Sequence, residues 1–327
     1  MSFSILSKRT LLTTLGLTLP LSLAACGGDD DDGHSHEADA GQVQADAAAG
    51  DPDAATDVTV TLNFEAMVGT EAFACSDGKA AKTYTNVGTA ASEVSFKDFR
   101  FYVSEVRLID DADNEVALTL ENDGAFQLQT DADGHVALLD FEDGTGNCTD
   151  SGNSNINTSV SGTVPPGNYT GVVFELGVPF AMNHLDVATA ESPLNISALY
   201  WAWAIGHKFA RIDYTVIGGA AWNFHLGSTG CATEGMTSPP TEECSKPNRP
   251  IIRIENFSHE TDVITLDAAA IVADSDLTTN AGMTPGCMSF SQDEPDCTPL
   301  FPNLGIDYAT GACIGDCADQ SIFSLAE

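Results

Sequence analysis

Apolar and polar residues alternate over Val58-Thr59-Val60-Thr61-Leu62-Asn63-Phe64, over Ser95-Phe96, and over Phe99-Arg100-Phe101-Tyr102-Val103-Ser104-Glu105-Val106-Arg107-Leu108. A period of two predicts strands with one buried face. Further strands are expected at Gly171-Val172-Val173-Phe174-Glu175-Leu176-Gly177, Phe209 to Val216, Trp222 to Leu226, Pro250 to Ile254 and Asp262 to Asp267. Turns rich in Gly, Pro, Asp and Asn separate them, among them Asp110 to Glu115, Asp131-Ala132-Asp133-Gly134 and Ser161 to Tyr169. Only Ala268 to Val272 and the stretch from Ser197 to Trp203 have a helical pattern. The fold class is therefore all-β, a β-sandwich or irregular antiparallel barrel with long disulfide-pinned loops. Residues 281–319, rich in Gly, Pro, Cys and Asp, are expected to cross the surface as one such loop.

Ahead of the strands, Lys8-Arg9 precede an apolar run from Leu11 to Ala25 that is too short for a stable membrane span and suits a signal peptide, residues 1–25. The run ends on Leu23-Ala24-Ala25-Cys26, which resembles the bacterial lipobox and implies a diacylated Cys26 at the mature N-terminus. Two acyl chains hold a membrane durably where one does so marginally. Gly27 and Gly28 after the cysteine, rather than an aspartate, resemble a sorting signal for the outer membrane of a Gram-negative bacterium. Residues 26–57 follow as an acidic tether: between Gly27 and Asp57 there are ten acids, no Lys or Arg and no aromatic residue. Such a composition buries too little surface to offset the entropy of ordering. His34 and His36, beside Asp29 to Asp32, could hold a divalent cation weakly. Residues 58–327 remain for a single β domain.

The chain carries 48 acidic against 12 basic residues, a field that repels nucleic acid and anionic lipid and favours cationic partners or metal ions. Of nine cysteines, setting aside Cys26 leaves an even set, and an oxidising compartment makes disulfides the expectation. Sequence alone does not fix the pairing. Short separations favour Cys231 with Cys244, Cys287 with Cys297 and Cys313 with Cys317, which leaves Cys75 with Cys148. A thiolate zinc site is disfavoured because Cys313 and Cys317 are the only tight pair and no second pair has knuckle spacing. The acidic turns are too short for a calcium loop.

No phosphate-binding glycine loop, His-Glu-x-x-His, nucleophile elbow or haem-attachment motif is present. Three strings stand out: Asn183-His184 after Gly177-Val178-Pro179-Phe180-Ala181-Met182, His225 in Phe224-His225-Leu226-Gly227-Ser228-Thr229-Gly230-Cys231, and Tyr200-Trp201-Ala202-Trp203-Ala204-Ile205-Gly206-His207-Lys208-Phe209. On composition alone each histidine is more often a hydrogen-bonded structural residue than a ligand, and each indole is more often core. An extended backbone would project Trp201 and Trp203 to one side.

These strings, with Phe99 to Glu105, Val136 to Gly144, Pro193-Leu194-Asn195 and Pro247-Asn248-Arg249, resemble the MbnP family from about Val58 to the chain end. That family comprises periplasmic or surface copper-binding proteins with a four-cysteine motif, encoded beside a di-haem cytochrome c peroxidase-like partner. In similar copper-handling surface proteins a tryptophan is oxidised to kynurenine and lies at the copper site. The resemblance implies copper as cofactor, His184 and His225 as imidazole ligands, and Trp201 or Trp203 as the modified residue. It also matches the family cysteines to Cys231, Cys244, Cys287 and Cys297, while Cys313 and Cys317 depart from the pattern. No histidine stands in Glu65-Ala66-Met67-Val68-Gly69, so a further ligand would be absent or supplied by Met67, and Met182 is a second thioether candidate; both would favour Cu(I).

The expected function is copper capture or transfer by a lipid-anchored, extracytoplasmic protein that is not itself an enzyme, since no activated nucleophile or general base is evident. The rivals are a copper-dependent redox enzyme using an oxidised tryptophan, and a surface scaffold in which the histidines and indoles are core. Copper binding in a double His184→Ala/His225→Ala variant discriminates the scaffold, and copper-dependent turnover discriminates the enzyme.

Overall fold

The computed structural model describes residues 56–130, 133–150, 154–289 and 293–326. Cys26, His34, His36 and Asp131-Ala132 lie outside them. Among the described residues no helix is long and apolar enough to cross a membrane.

Strands in two main sheets dominate, and among the described residues α-helix is limited to the short turns Phe180–Asn183 and Ala268–Ile271. The smaller sheet runs in the order Phe323–Leu325, Val263–Asp267, Val58–Val68, Ser159–Val164, Thr119–Leu120, with Glu71–Ala72 added to Val58–Val68. The larger runs Ile251–Glu255, Tyr169–Leu176, Ser92–Asp110, Ala210–Val216, Ala221–Leu226, Gly286–Met288. Aromatic side chains join the two as in a sandwich. Phe64 and Phe323 of the smaller sheet each meet Phe101 and Phe174 of the larger edge-on, with ring centroids 5.2–6.3 Å apart. Such contacts add about 0.5–1.5 kcal/mol each beyond the area they bury. Pairing is mostly antiparallel, but Val58–Val68 runs parallel to Val263–Asp267, and Ala221–Leu226 parallel to Gly286–Met288.

Three expectations change. Ser92–Asp110 is one continuous strand buried on both faces, not two strands with one polar face. Its would-be solvent side carries Asp98 and Arg100, which are buried because they neutralise one another and further charges: Arg100 Nε donates to Asp98 Oδ1 at 2.8 Å, Arg100 reaches Glu142 at 3.5 Å, and Arg211 reaches Asp98 at 3.1 Å. The second change is in residues 197–203, where a single 3-10 turn, Ser197–Leu199, gives way to the strand Tyr200–Ala202. The third concerns residues 281–319, which do not merely cross the surface. Leu300, Phe301, Leu304 and Ile306 are fully buried and extend the core, so this segment is held by hydrophobic burial as well as by covalent pins.

The disulfides are Cys231–Cys244, Cys287–Cys297 and Cys313–Cys317, the pairs that the short separations favour, and Cys75–Cys148, the pair that these leave.

Candidate metal centre

Residues 177–209 connect Tyr169–Leu176 to Ala210–Val216. A connection this long must find partners for its backbone polar groups. Buried side chains supply them: the Tyr102 hydroxyl donates to the Pro193 carbonyl at 2.9 Å, and Lys208 Nζ donates to the Ala198 carbonyl at 2.7 Å. His207, fully buried, has its two ring nitrogens against the Asn183 and Leu194 carbonyls at 2.8 and 3.0 Å. His207 is thus a tie between two parts of the loop, with no nitrogen left for a metal.

His184 caps the helical turn Phe180–Asn183. Its Nδ1 lies 2.8 Å from the Trp203 carbonyl, which can only accept, so Nδ1 bears the proton and Nε2 carries the lone pair. Nε2 faces the Asn183 side-chain amide at 3.2 Å and Cys244 Sγ at 3.6 Å. Burial, partly opposed by the bond to Trp203, lowers the pKa of this imidazole and so favours its neutral form.

His225 lies on Ala221–Leu226, in register with Arg211 on one side and Met288 on the other. Its Nε2 is 2.5 Å from Asp213 Oδ1, while Nδ1 is buried and has no hydrogen-bond partner. Burial lowers the His225 pKa against the opposing effect of Asp213. The carboxylate is itself fixed, since Arg211 donates to Asp213 Oδ2 from Nε and Nη2 at 2.9 and 2.7 Å. Burial works to raise the Asp213 carboxyl, but the hydrogen bond from His225 and the Arg211 guanidinium outweigh it and hold the pKa at about 2. Each imidazole has one N–H engaged by an acceptor, as oriented metal ligands show. The other nitrogen of His225 has no hydrogen-bond partner, whereas that of His184 accepts from Asn183 Nδ2 at 3.2 Å, a bond that a bound metal would displace.

The indoles differ. Trp201 faces His225 at a centroid distance of 6.5 Å, with Lys208 Nζ 5.5 Å from its ring centre. It packs so closely over Gly227 that a Cβ there would lie 2.5 Å from its ring. Trp203, beyond the end of the strand Tyr200–Ala202, is 37% exposed and contributes its carbonyl to His184. One imidazole therefore faces Trp201 and the other is tied to Trp203. Asn183 Nδ2, 3.5 Å from Ser228 Oγ, links the two strings further.

The MbnP family model matches residues 57–289. The chain belongs to the MbnP family. Among solved structures it is similar to MbnP from Methylosinus trichosporium, at 28% identity and a TM-score of 0.67, over 83% of this chain and 98% of that one. No curated protein matches.

Within this MbnP domain the thioether candidates sit apart in character. Met182 is buried in the hydrophobic core. Met67 lies on the smaller sheet, in a cleft lined by Glu65, Thr265, Asp267 and Leu325 that includes neither histidine. The geometry adds one residue that the sequence did not single out, Asp213, and gives a role to Asn183, which the sequence placed only as the neighbour of His184. Asp213 was legible only in the alternation Arg211-Ile212-Asp213, which puts an acid and its arginine on one face of a strand. Asn183 was visible beside His184, but the contacts of its amide come from residues distant in sequence. One group of three close donors stands out among the described residues: His184 Nε2 and the sulfurs of Cys231 and Cys244, all within 4.8 Å of one another. In a disulfide those sulfurs are not thiolates, so they add little to a metal site in the oxidised protein.

Proposed function

We propose that this MbnP-family chain is a lipid-anchored, extracytoplasmic protein that binds copper through His184 and His225 and serves copper capture or transfer beside a di-haem cytochrome c peroxidase-like partner. The observation that carries the reading is the buried Nδ1 of His225, which has no hydrogen-bond partner while Asp213 holds the opposite nitrogen. A buried polar atom left without a partner costs about 1–3 kcal/mol, and a bound cation removes that cost. Neutral imidazole serves both oxidation states of copper, and the donor set therefore fits the ion that the family implies. Copper is handled as cargo: among the described residues neither imidazole is hydrogen-bonded to a serine, threonine or free thiol that it could activate as a general base, which supports a binding role over catalysis.

Trp201 is the tryptophan we assign to oxidation, because its ring faces His225, whereas the contact of Trp203 with His184 is made by its backbone carbonyl. Opening the indole C2–C3 bond adds two oxygen atoms, supplied by dioxygen or by two peroxides reduced to water at the haem partner. Hydrolysis then releases formate, for a net gain of one oxygen and loss of one carbon. The resulting aryl amine and ketone would lie beside His225.

Copper titration of the oxidised chain tests the reading. One equivalent is expected to bind specifically in the wild type and to be lost in His225→Ala. Equal affinity in wild type and the His184→Ala/His225→Ala double variant would support a structural scaffold instead.

A further inference from the structure

We propose that reduction of the Cys231–Cys244 disulfide opens a three-donor site for the soft cation Cu(I), made of Cys231 Sγ, Cys244 Sγ and His184 Nε2. The inference shares His184 with the reading above and is independent of His225 and of the indoles.

The three donor atoms already lie within 4.8 Å of one another, so a single ion could replace the sulfur–sulfur bond between them with small side-chain movements. His184 needs no change of tautomer. Its Nδ1 proton is held by the Trp203 carbonyl at 2.8 Å, and the Nε2 lone pair, which accepts from Asn183 Nδ2 at 3.2 Å, also faces Cys244 Sγ at 3.6 Å, so metal binding has only that one amide contact to displace. A ring nitrogen fixed in this way is the form that binds metal. Two thiolates and an imidazole are soft enough to select Cu(I).

Access also singles out this pair. Cys231 is half-buried and lines an open cavity of about 270 Å³ with Ala204, Ile205, Thr229 and Met236. Met236, 51% exposed on the same cavity, offers a thioether on the route in. Both sulfurs of Cys75–Cys148 and of Cys287–Cys297 belong to buried residues. Cys313–Cys317 has a half-buried member, but no histidine joins it in a donor group among the described residues.

The chemistry balances with a dithiol reductant. The dithiol gives two electrons and two protons to the Cys231–Cys244 bond and becomes a disulfide, leaving two protein thiols. Cu(I) then displaces both thiol protons, which pass to solvent. The copper keeps its oxidation state throughout.

The test is an anaerobic Cu(I) titration of the full chain against a colorimetric Cu(I) chelator, before and after phosphine reduction and removal of the phosphine, with thiols counted. Reduced wild type should bind Cu(I) at least about tenfold more tightly than oxidised wild type and show thiolate-to-copper charge-transfer absorption. His184→Ala, which keeps both cysteines and hence the crosslink for folding, should weaken the reduced site by about tenfold or more, since loss of a ligand costs at least what loss of its outer partner does. Cys231→Ser/Cys244→Ser should lack the absorption, and Cys313→Ser/Cys317→Ser should keep it. His225→Ala separates the two readings: it should abolish copper binding by the oxidised chain and leave the reduced-state absorption intact. The proposal is overturned if reduced wild type binds no more tightly than oxidised, if His184→Ala is without effect, or if the absorption survives loss of Cys231 and Cys244.

Discussion

The Nε2 atom of His225 lies 2.5 Å from Oδ1 of Asp213, whose other oxygen is clasped by Arg211, so the orientation of one imidazole is set by a charged pair inside the sheet. This makes Asp213 a positioning residue. Asp213→Asn replaces an obligatory acceptor with a group that can present either a donor or an acceptor to Nε2. Copper affinity is expected to fall about 10–100-fold, measured by chelator competition, with a far-UV circular dichroism spectrum unchanged from wild type.

Gly227 supports the other side of that imidazole's surroundings. A methyl group there would lie 2.5 Å from the Trp201 ring and 2.9 Å from the His207 carbonyl. Gly227→Ala should therefore displace Trp201, seen as a shifted indole emission, and should weaken copper binding while sparing the disulfides. An unshifted spectrum would show that the close approach is not needed.

The buried charges carry a pH signature. Burial pushes the Asp140 carboxyl up to about 7, with the Arg100 guanidinium offsetting only part of the effect. Between the ordinary carboxylate range and that value the folded chain holds a proton that the unfolded chain has released, so the contribution of Asp140 to stability falls as pH rises. Asp140→Asn removes this dependence. The stability difference between variant and wild type should move toward the variant by a few kcal/mol from about pH 4 to pH 8, read from denaturant midpoints. A constant difference would contradict the shift.

Much of the architecture was legible in the alternation of side chains, because a strand such as Val58–Val68 buries one face and repeats every two residues. The same rule misjudged Ser92–Asp110, since Arg100 reads as solvent-facing until Asp98 and Glu142 arrive to neutralise it. Residues 281–319 misled for a related reason: frequent Gly and Pro signal turns, yet Phe301 and Leu304 between those turns are core. At the candidate site the histidines stood out only through family-like strings. Their tautomers depend on Trp203 and Asp213, contacts that local sequence patterns cannot reveal.

The join between the sheets can be tested through the end of the chain. Phe323 meets both Phe101 and Phe174 edge-on from the last strand. Phe323→Ala should cost about 3–5 kcal/mol, read from denaturant midpoints, and the strand Phe323–Leu325 should lose hydrogen-exchange protection ahead of Val263–Asp267. A loss below about 1 kcal/mol would show that this aromatic contact contributes little to holding the sheets together.

The assignment of the modified indole predicts a mass difference confined to one residue. After co-expression with a haem-loaded di-haem partner, a peptide covering residues 199–208 should gain one oxygen and lose one carbon in wild type and in Trp203→Phe, and remain unchanged in Trp201→Phe. Modification that persists in Trp201→Phe would move the assignment to Trp203.

The central claim is that His184 and His225 hold copper in the oxidised chain, and stoichiometric copper titration with the single alanine variants addresses it most directly. The account predicts one tightly bound copper per wild-type chain, lost in His225→Ala and bound at least about tenfold more weakly in His184→Ala. Wild-type affinity and stoichiometry in both variants would contradict it and place the copper elsewhere on the chain.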